Sequence, residues 1–200
     1  MSALPQKLGT MTEAEYLEFE RRSDMKHEYA SGDVLAMTGA SWNHNVICQN
    51  TATSLGSQLA DRDCTVVSSD MRVQIAAARA YRYPDVIVVC GQPQFMDDRM
   101  DTIRNPVILI EVLSPSTALV DRNEKLREYR QLSSLQEYLL ISQNEPRIER
   151  FLRQDADNWL YTEVVGLDES ISLPSVTCTL ALSEVYKKVA FESTDEENAL

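Results

Sequence analysis

Two carboxylates stand where the sequence is otherwise apolar. Asp85 follows Pro84 at the start of the run VIVV, and Glu111 interrupts the apolar run VILIEVL at 107–113. Burying an unpaired carboxylate is costly, so Glu111 requires either a compensating group or a proton. If the two strands are neighbours, both carboxylates point into one site. Two such charges about 4 Å apart repel by about 4 kcal/mol at an effective dielectric near 20, which predicts a cation or a shared proton between them.

The donor types favour a hard divalent cation at this site. The four cysteines are widely spaced and show no CxxC or other metal-ligand spacing, and carboxylate oxygens prefer Mg²⁺ or Mn²⁺ to zinc. Mg²⁺ commonly takes one or two protein carboxylates and completes its shell with water and substrate phosphates. Asp85 and Glu111 are therefore the predicted metal ligands, in an arrangement suited to phosphodiester hydrolysis.

The segment after Glu111 adds a positive charge. Asp121, Lys125 and Tyr129 recur at i, i+4 and i+8, so a helix places them along one stripe. Lys125 is expected to reach the end of the Glu111 strand, where it orients the attacking water or stabilises the phosphorane charge. Asp121 and Tyr129 are expected to assist it.

The elements that position these residues follow from periodicity and capping. Thr12 followed by Glu15 predicts a first helix, and Ser31-Gly32-Asp33 joins two short strands. A second helix carries His44 near its start. The segments YRYPDVIVVC and PVILIEVLS are strands, and 118–132 is an amphipathic helix with an apolar stripe at Leu119, Leu126, Tyr129 and Leu132. EYLLIS, RIERFLR and WLYTEVV predict an antiparallel C-terminal meander, so the fold class is α/β with a central mixed sheet flanked by helices.

Composition limits the class of protein. Two hundred residues with 44% hydrophobic and 25% charged residues predict a single domain over 1–190, followed by an acidic, disordered tail over 191–200. No apolar run reaches the length of a membrane span, and the N-terminus does not resemble a signal peptide, which predicts a cytoplasmic protein with no membrane partner. All four cysteines are expected to be reduced. The net charge of −12, about −8 without the tail, opposes binding to nucleic acid.

Taken together, the motifs resemble a known group. PD, an acid in the next strand and a nearby lysine resemble the PD-(D/E)XK nuclease superfamily. More closely, HEYASGDVLAMTGASWNHNVI, YRYPDVIVV, PVILIEVLSPSTALVDRNEKLREYRQL and EYLLIS are similar to the Uma-two family of restriction-type endonucleases, over about 12–188.

This resemblance implies a restriction-endonuclease-like core with Mg²⁺ or Mn²⁺ on Asp85 and Glu111, and Glu28 as an additional acid. The superfamily lysine two residues after the strand acid is replaced by Leu113 in this chain, and Lys125 is its displaced equivalent. His44 falls where the family has a histidine and is a candidate auxiliary residue. A homodimer is implied by analogy with nucleases of this class.

Each candidate residue also has a structural interpretation. Glu111 can pair with a buried arginine such as Arg72 or Arg82, and Asp85 can cap a turn after Pro84. Glu28 can face solvent, and Lys125 can form a surface pair with Asp121. His44 can bond to backbone at a helix start. Three further expectations concern residues outside the motifs: His27 is exposed, and Trp42 and Trp159 are packing residues rather than base-stacking surfaces.

The hypothesis that follows is a divalent-metal-dependent DNA endonuclease. Because the protein is acidic, its binding to DNA is predicted to be weak and sensitive to salt. The alternative is a catalytically inactive nuclease fold that acts as an interaction module, which a lost member of the Asp85, Glu111 and lysine set would favour. A third possibility is hydrolysis of RNA by the same chemistry.

Overall fold

The computed structural model describes residues 6–191. The predicted tail over 191–200 lies outside this range except for Phe191. The helices are α1 (Glu13–Glu20), α2 (Trp42–Leu59), α3 (Ala118–Val120), α4 (Leu126–Tyr129) and α5 (Leu182–Val185), with a π-helical turn at Asp121–Lys125 between α3 and α4. The strands are β1 (Gln6–Thr10), β2 (His27–Ala30), β3 (Asp33–Ala36), β4 (Cys64–Ser68), β5 (Arg72–Ile75), β6 (Ala80–Arg82), β7 (Val86–Cys90), β8 (Thr102–Ile103), β9 (Ile108–Leu113), β10 (Glu137–Ser142), β11 (Arg147–Arg153), β12 (Trp159–Val165), β13 (Ser170–Leu173) and β14 (Cys178–Ala181).

The central sheet is mixed and contains both predicted acid-bearing segments. Its order is β12-β11-β10-β9-β7-β4, with β9 parallel to β10 and antiparallel to β7. The condition that the two acid-bearing strands are neighbours is therefore met. The meander is confirmed as well, because β10, β11 and β12 pair in antiparallel order.

Alternation along β9 decides which way Glu111 faces. Ile108, Ile110 and Val112 pack on one side of the sheet in a cluster that includes residues of α2. Leu109 and Leu113 pack on the opposite side, in a cluster that includes Tyr129 and Leu132. Because side chains alternate along a strand, Glu111 shares the face of Leu109 and Leu113. It therefore points toward the helical segment that follows its own strand.

A second six-stranded sheet was not predicted. Its order is β1-β3-β2-β6-β5-β8, and it carries Glu28 on β2. The chain passes between the two sheets at Ser69, whose backbone has a φ of 50°, and again at Tyr83-Pro84-Asp85, between β6 and β7. Asp85 consequently lies where the two sheets meet, which brings it near residues of both.

Two helix starts follow their capping residues. The N–H of Glu15 donates to Thr12 Oγ1 and the N–H of Thr12 donates to the Glu15 carboxylate, which confirms the predicted box. Helix α2 begins after Ser41, whose Oγ accepts from the N–H of His44 at 3.1 Å. This cap fixes His44 in the first turn of α2.

The helix predicted over 118–132 differs from expectation in one respect. A π-helical turn at Asp121–Lys125 interrupts it, and the predicted apolar stripe is correct only beyond that turn. Leu126, Tyr129 and Leu132 pack into the core, but Leu119 is 79% exposed. A π-turn inserts an extra residue per turn, so the positions before it rotate away from the stripe.

The prediction that all four cysteines are reduced is wrong for one pair. Cys64 on β4 lies directly opposite Cys90 on β7 in the antiparallel register, and a disulfide joins them. Cys48 and Cys178 are free thiols. Across residues 6–191, no helix is both long enough and apolar enough to cross a lipid bilayer.

Candidate active site

Glu111 lies inside the protein and is compensated by two donors. Only 4% of the residue is exposed. Its Oε1 accepts from Lys125 Nζ at 3.0 Å and from the Tyr129 hydroxyl at 2.7 Å. The structural alternative that paired Glu111 with Arg72 or Arg82 is wrong, because those guanidiniums bond elsewhere.

Lys125 is surrounded by carboxylates. Its Nζ lies 3.0 Å from Glu111, 3.1 Å from Asp121 and 3.2 Å from Glu28, and the residue is 5% exposed. The surface pair with Asp121 alone is therefore excluded. Burial lowers the pKa of Lys125, but the three carboxylates together raise it well above its ordinary value. Lys125 is therefore a fixed cation rather than a base.

Glu28 is part of a buried ion-pair network rather than a solvent-facing residue. Arg82 Nη1 donates to Glu28 Oε2 at 2.8 Å, and the same guanidinium forms two bonds to Glu128, at 2.7 and 2.8 Å. Burial raises the pKa of Glu28, but Lys125 and Arg82 outweigh it and lower that pKa. Glu28 is therefore an anion that orients Lys125 from the side of the second sheet.

Asp85 is tied directly to the Glu111 strand. Its Oδ2 accepts from the N–H of Val112 at 2.7 Å, the residue that follows Glu111. The same oxygen lies 3.2 Å from His44 Nε2. Asp85 thus bridges β9 and α2, instead of only capping a turn after Pro84.

His44 lies between Asp85 and Cys48, a residue that no motif identified. Its Nδ1 is 3.5 Å from Cys48 Sγ, one turn further along α2. Burial lowers the pKa of His44, but its hydrogen bond to Asp85 and the nearby charges of Asp85 and Asp121 raise it overall. His44 is therefore more than a residue bonded to the backbone at a helix start.

Negative charge exceeds positive charge around Glu111. Burial is the largest influence on its carboxyl group and raises its pKa; Lys125 opposes this, while Asp121, Asp85 and Glu28 raise the pKa further. The hydrogen bonds described above use Glu111 Oε1 and Asp85 Oδ2. Among residues 6–191 no hydrogen bond to Glu111 Oε2 or Asp85 Oδ1 is formed, and carboxylate oxygens of this kind are the donor type that a hard divalent ion prefers.

The predicted residues line one cleft. It has a volume of about 1110 Å³, and its wall includes Glu28, His44, Asp85, Glu111 and Lys125. Asp121 and Tyr129 lie behind this wall, in contact with Lys125 and Glu111 respectively. The structure therefore brings all seven predicted site residues into one connected cluster.

Two aromatic or imidazole side chains differ from expectation. Trp42 is not a packing residue: it is 77% exposed and lines the cleft. His27 is buried instead of exposed, with Nδ1 2.9 Å from Glu20 Oε2. Trp159 does pack as predicted, against the core and under the Arg153 guanidinium at 4.4 Å. Trp42 is the first residue of α2. The spacing of apolar residues along a helix does not show whether a residue at its start is buried, so the exposure of Trp42 was not predicted.

The fold is similar to that of a protein of known structure. A crystal structure from Anabaena variabilis, described as "a putative nuclease belonging to DUF820", matches this chain with a TM-score of 0.72 and 16% identity. The match covers 88% of this chain and 97% of that one. At this identity it shows the fold, and it confirms the predicted α/β class with a nuclease-like core.

The chain belongs to the Uma2 family, described as "Putative restriction endonuclease", whose model matches residues 13–183. Two relatives from Synechocystis sp. are similar over most of their length. "Uncharacterized protein sll1609" is 39% identical over 161 residues, which are 80% of this chain and 91% of the relative. "Uncharacterized protein slr1290" is 37% identical over 179 residues, with corresponding shares of 88% and 92%.

Proposed function

We propose that this protein is a divalent-metal-dependent endonuclease that hydrolyses phosphodiester bonds of DNA. The observation that carries the proposal is the hydrogen bond that links Asp85 to the strand of Glu111. Asp85 bonds to the backbone of β9 next to Glu111, and Glu111 contacts Lys125, all within one cleft. The order of these groups along the chain is that of the PD-(D/E)XK superfamily, with Lys125 displaced onto the helix.

Asp85 and Glu111 are the residues that hold the ion, Mg²⁺ or Mn²⁺. One oxygen of the Asp85 carboxylate is engaged by His44 and Val112, and one oxygen of the Glu111 carboxylate by Lys125 and Tyr129. Each carboxylate would therefore keep an oxygen for the ion. When bound, such an ion polarises a phosphate and lowers the pKa of a coordinated water.

Lys125 is assigned to electrostatic stabilisation. Three carboxylates lie within 3.2 Å of its Nζ, so it holds a permanent positive charge beside Glu111. Negative charge develops on the phosphoryl oxygens during hydrolysis, and a preorganised cation lowers that barrier. Glu28, Asp121 and Tyr129 position Lys125 and Glu111. His44 positions Asp85 through the contact between Nε2 and Oδ2.

The experiment is nicking of supercoiled plasmid at low salt in Mg²⁺, in Mn²⁺ or in EDTA. The unmodified protein is expected to nick in both metals and not in EDTA. Asp85→Asn and Glu111→Gln are expected to lose the activity, because each removes a ligand while keeping the shape of the side chain. A parallel reaction with single-stranded RNA separates the DNA and RNA possibilities.

Exposed acids supply matched controls. Asp61→Asn and Glu184→Gln remove the same charge from exposed positions and are expected to nick normally. The proposal is overturned if the unmodified protein does not cleave and neither metal raises its melting temperature. In that case Glu111 is a structural member of the buried ion-pair network, and the interaction-module hypothesis is favoured.

A further inference from the structure

We propose that His44, Cys48 and Asp85 form a second cation site, specific for a thiophilic divalent ion of the zinc class. This site shares Asp85 with the oxygen-ligand site and therefore competes with it. His44 and Cys48 are four positions apart on α2, so they lie on one helical face. One donor atom from each of the three residues lies within 4.8 Å of the other two.

The donor chemistry distinguishes this group from the Asp85–Glu111 pair. A thiolate, an imidazole and a carboxylate form a set that suits zinc and its neighbours, whereas Mg²⁺ prefers oxygen alone. Three protein ligands with one open position are also the arrangement of many zinc sites that face solvent. Bonds of about 2.0–2.3 Å place tetrahedral donors about 3.3–3.8 Å apart. In the ion-free arrangement His44 Nδ1 faces Cys48 Sγ and Nε2 faces Asp85 Oδ2, so binding requires the imidazole to turn until one nitrogen faces the ion together with the thiolate and the carboxylate.

Access and proton balance are both compatible with binding. All three side chains line the cleft and are partly buried, so an ion can enter from solvent. Burial, together with the charges of Asp85 and Glu111, raises the pKa of the Cys48 thiol. The ion–sulfur bond forms as the Cys48 S–H bond breaks, and His44 binds as the neutral imidazole, so binding releases the thiol proton and any proton that the imidazole holds.

The consequence for the cleft is a choice between two kinds of cation. An ion held by Cys48 and His44 shares the Asp85 carboxylate with the oxygen-ligand site, and two divalent cations on one carboxylate repel each other, so binding of the first weakens binding of the second. Zinc-class ions are accordingly expected to inhibit the Mg²⁺-dependent reaction. This inhibition rests on the proposed function, but the binding itself does not.

The test for binding is a Co²⁺ titration of the full chain without thiol reductant. A Co²⁺ ion bound to a thiolate shows a near-ultraviolet charge-transfer band, and Zn²⁺ should displace it. The disulfide removes Cys64 and Cys90 as ligands, so Cys48 and Cys178 are the free thiols to be compared. The band is expected in the unmodified protein and in Cys178→Ser, and it should be absent in Cys48→Ser.

A second variant keeps the result interpretable. His44→Gln retains the thiol, and it is expected to weaken Co²⁺ binding by about tenfold or more, because even groups that only support a ligand commonly have effects of that size. Circular dichroism checks that each variant is folded. The inference is overturned if no band appears, or if the band survives Cys48→Ser in a folded protein.

The two proposals fail separately. If Co²⁺ binds as expected but Mg²⁺ supports no cleavage, the thiolate site stands and the nuclease proposal falls. If Mg²⁺-dependent nicking occurs and no thiolate band appears, only the present inference falls. If both hold, the Zn²⁺ concentration that halves nicking is expected to rise about tenfold or more in Cys48→Ser.

Discussion

At the scale of single residues, Lys125 is expected to contribute both to the stability of the fold and to the proposed reaction. Lys125→Met removes a cation that contacts Glu28, Glu111 and Asp121. Leaving buried charges without a partner commonly costs about 3–5 kcal/mol, so urea denaturation is expected to show a loss of this size. Nicking is expected to disappear.

The matched control is Lys187→Met, which removes a lysine from an exposed pair with Glu184. Its effect on the free energy of unfolding is expected to stay below about 0.5 kcal/mol. Equal losses in the two variants would contradict the role assigned to the buried lysine.

Tyr129 supplies a second residue-level prediction. Tyr129→Phe keeps the buried ring and removes the hydroxyl that donates to Glu111 Oε1 at 2.7 Å. A hydrogen bond to a charged group contributes about 1.5–3 kcal/mol. Tyr138→Phe is the control, because its buried hydroxyl donates to the neutral carbonyl of Asp121 at 3.1 Å. A loss near 1 kcal/mol is expected there. Because burial and the neighbouring carboxylates raise the pKa of Glu111, a similar loss is expected for Tyr129→Phe at neutral pH, and a loss of about 1.5–3 kcal/mol would contradict a protonated Glu111.

The residues that sequence could identify are those that break a pattern. Glu111 interrupts an apolar run, and Asp85 follows a proline at a strand start, so both are visible without a structure. Arg82 and Cys48 are not visible in this way. Arg82 has its role through a contact with Glu28, which is distant in the sequence. Cys48 has its role through His44, which lies on the same face of one helix. Neither Arg82 nor Cys48 interrupts a local pattern.

At the scale of elements, the π-turn sets the direction of Lys125. Deleting Asn123 is expected to convert the turn to α-helix and rotate the residues on one side of it by about 100° relative to the other. Helix content should be retained while nicking is lost, because Lys125 and Asp121 then no longer face Glu111 together. Circular dichroism and the plasmid assay measure the two effects.

Asn123→Ala is the control for that deletion. It removes the bond from Asn123 Nδ2 to the carbonyl of Leu119 but preserves the residue count. Nicking is expected to persist in this variant. A fully active deletion variant would show that the π-turn has no role in positioning Lys125.

A second element-level prediction concerns the end of α1. Arg21 donates to Asp101 at 2.8 Å, next to β8, and these hydrogen bonds lower the pKa of Asp101 from 3.8 to about 2 although partial burial raises it. Because the folded pKa lies below the unfolded one, this stabilisation is complete above about pH 4 and is lost as the pH falls toward 2.

The measurement compares the unmodified protein with Asp101→Asn. The difference in their free energies of unfolding is expected to be constant above about pH 4 and to shrink below it. A difference that does not change across this interval would contradict a charged Asp101 as the partner of Arg21.

The helices and strands of the site were predictable, but the π-turn and the assignment of strands to sheets were not. Periodicity reports which face of an element is apolar, and it identified β9 and the helix after it. Periodicity does not show the extra residue in the π-helical turn at Asp121–Lys125. That extra residue rotates Leu119 away from the apolar stripe of the helix. Periodicity also does not show that β4 and β5 belong to different sheets, because that difference is set by the turn at Ser69 between them.

At the scale of the whole molecule, pairing across the sheets decides features that composition alone suggested wrongly. The cysteines were predicted to be reduced on grounds of spacing and compartment. The Cys64–Cys90 disulfide exists because β4 and β7 are antiparallel neighbours with these residues in register. A sequence separation of 26 residues carries no sign of that register.

The net charge of −12 leads to the last prediction, which concerns how the protein meets DNA. The lysines that line the cleft are Lys26 and Lys125, and each phosphate neutralised contributes about −0.9 to the slope of log K against log salt. Lys125 is buried and already paired with three carboxylates, so Lys26 is the cleft lysine counted here. A slope of about −1 is therefore expected for a labelled duplex in fluorescence anisotropy, with Ca²⁺ in place of Mg²⁺. Lys26→Ala should reduce the slope by about 1, while Lys187→Ala leaves it unchanged. A slope near −5 would show that DNA binds to a basic surface outside the cleft, and the acids of the cleft would then have to act on a strand delivered from that surface.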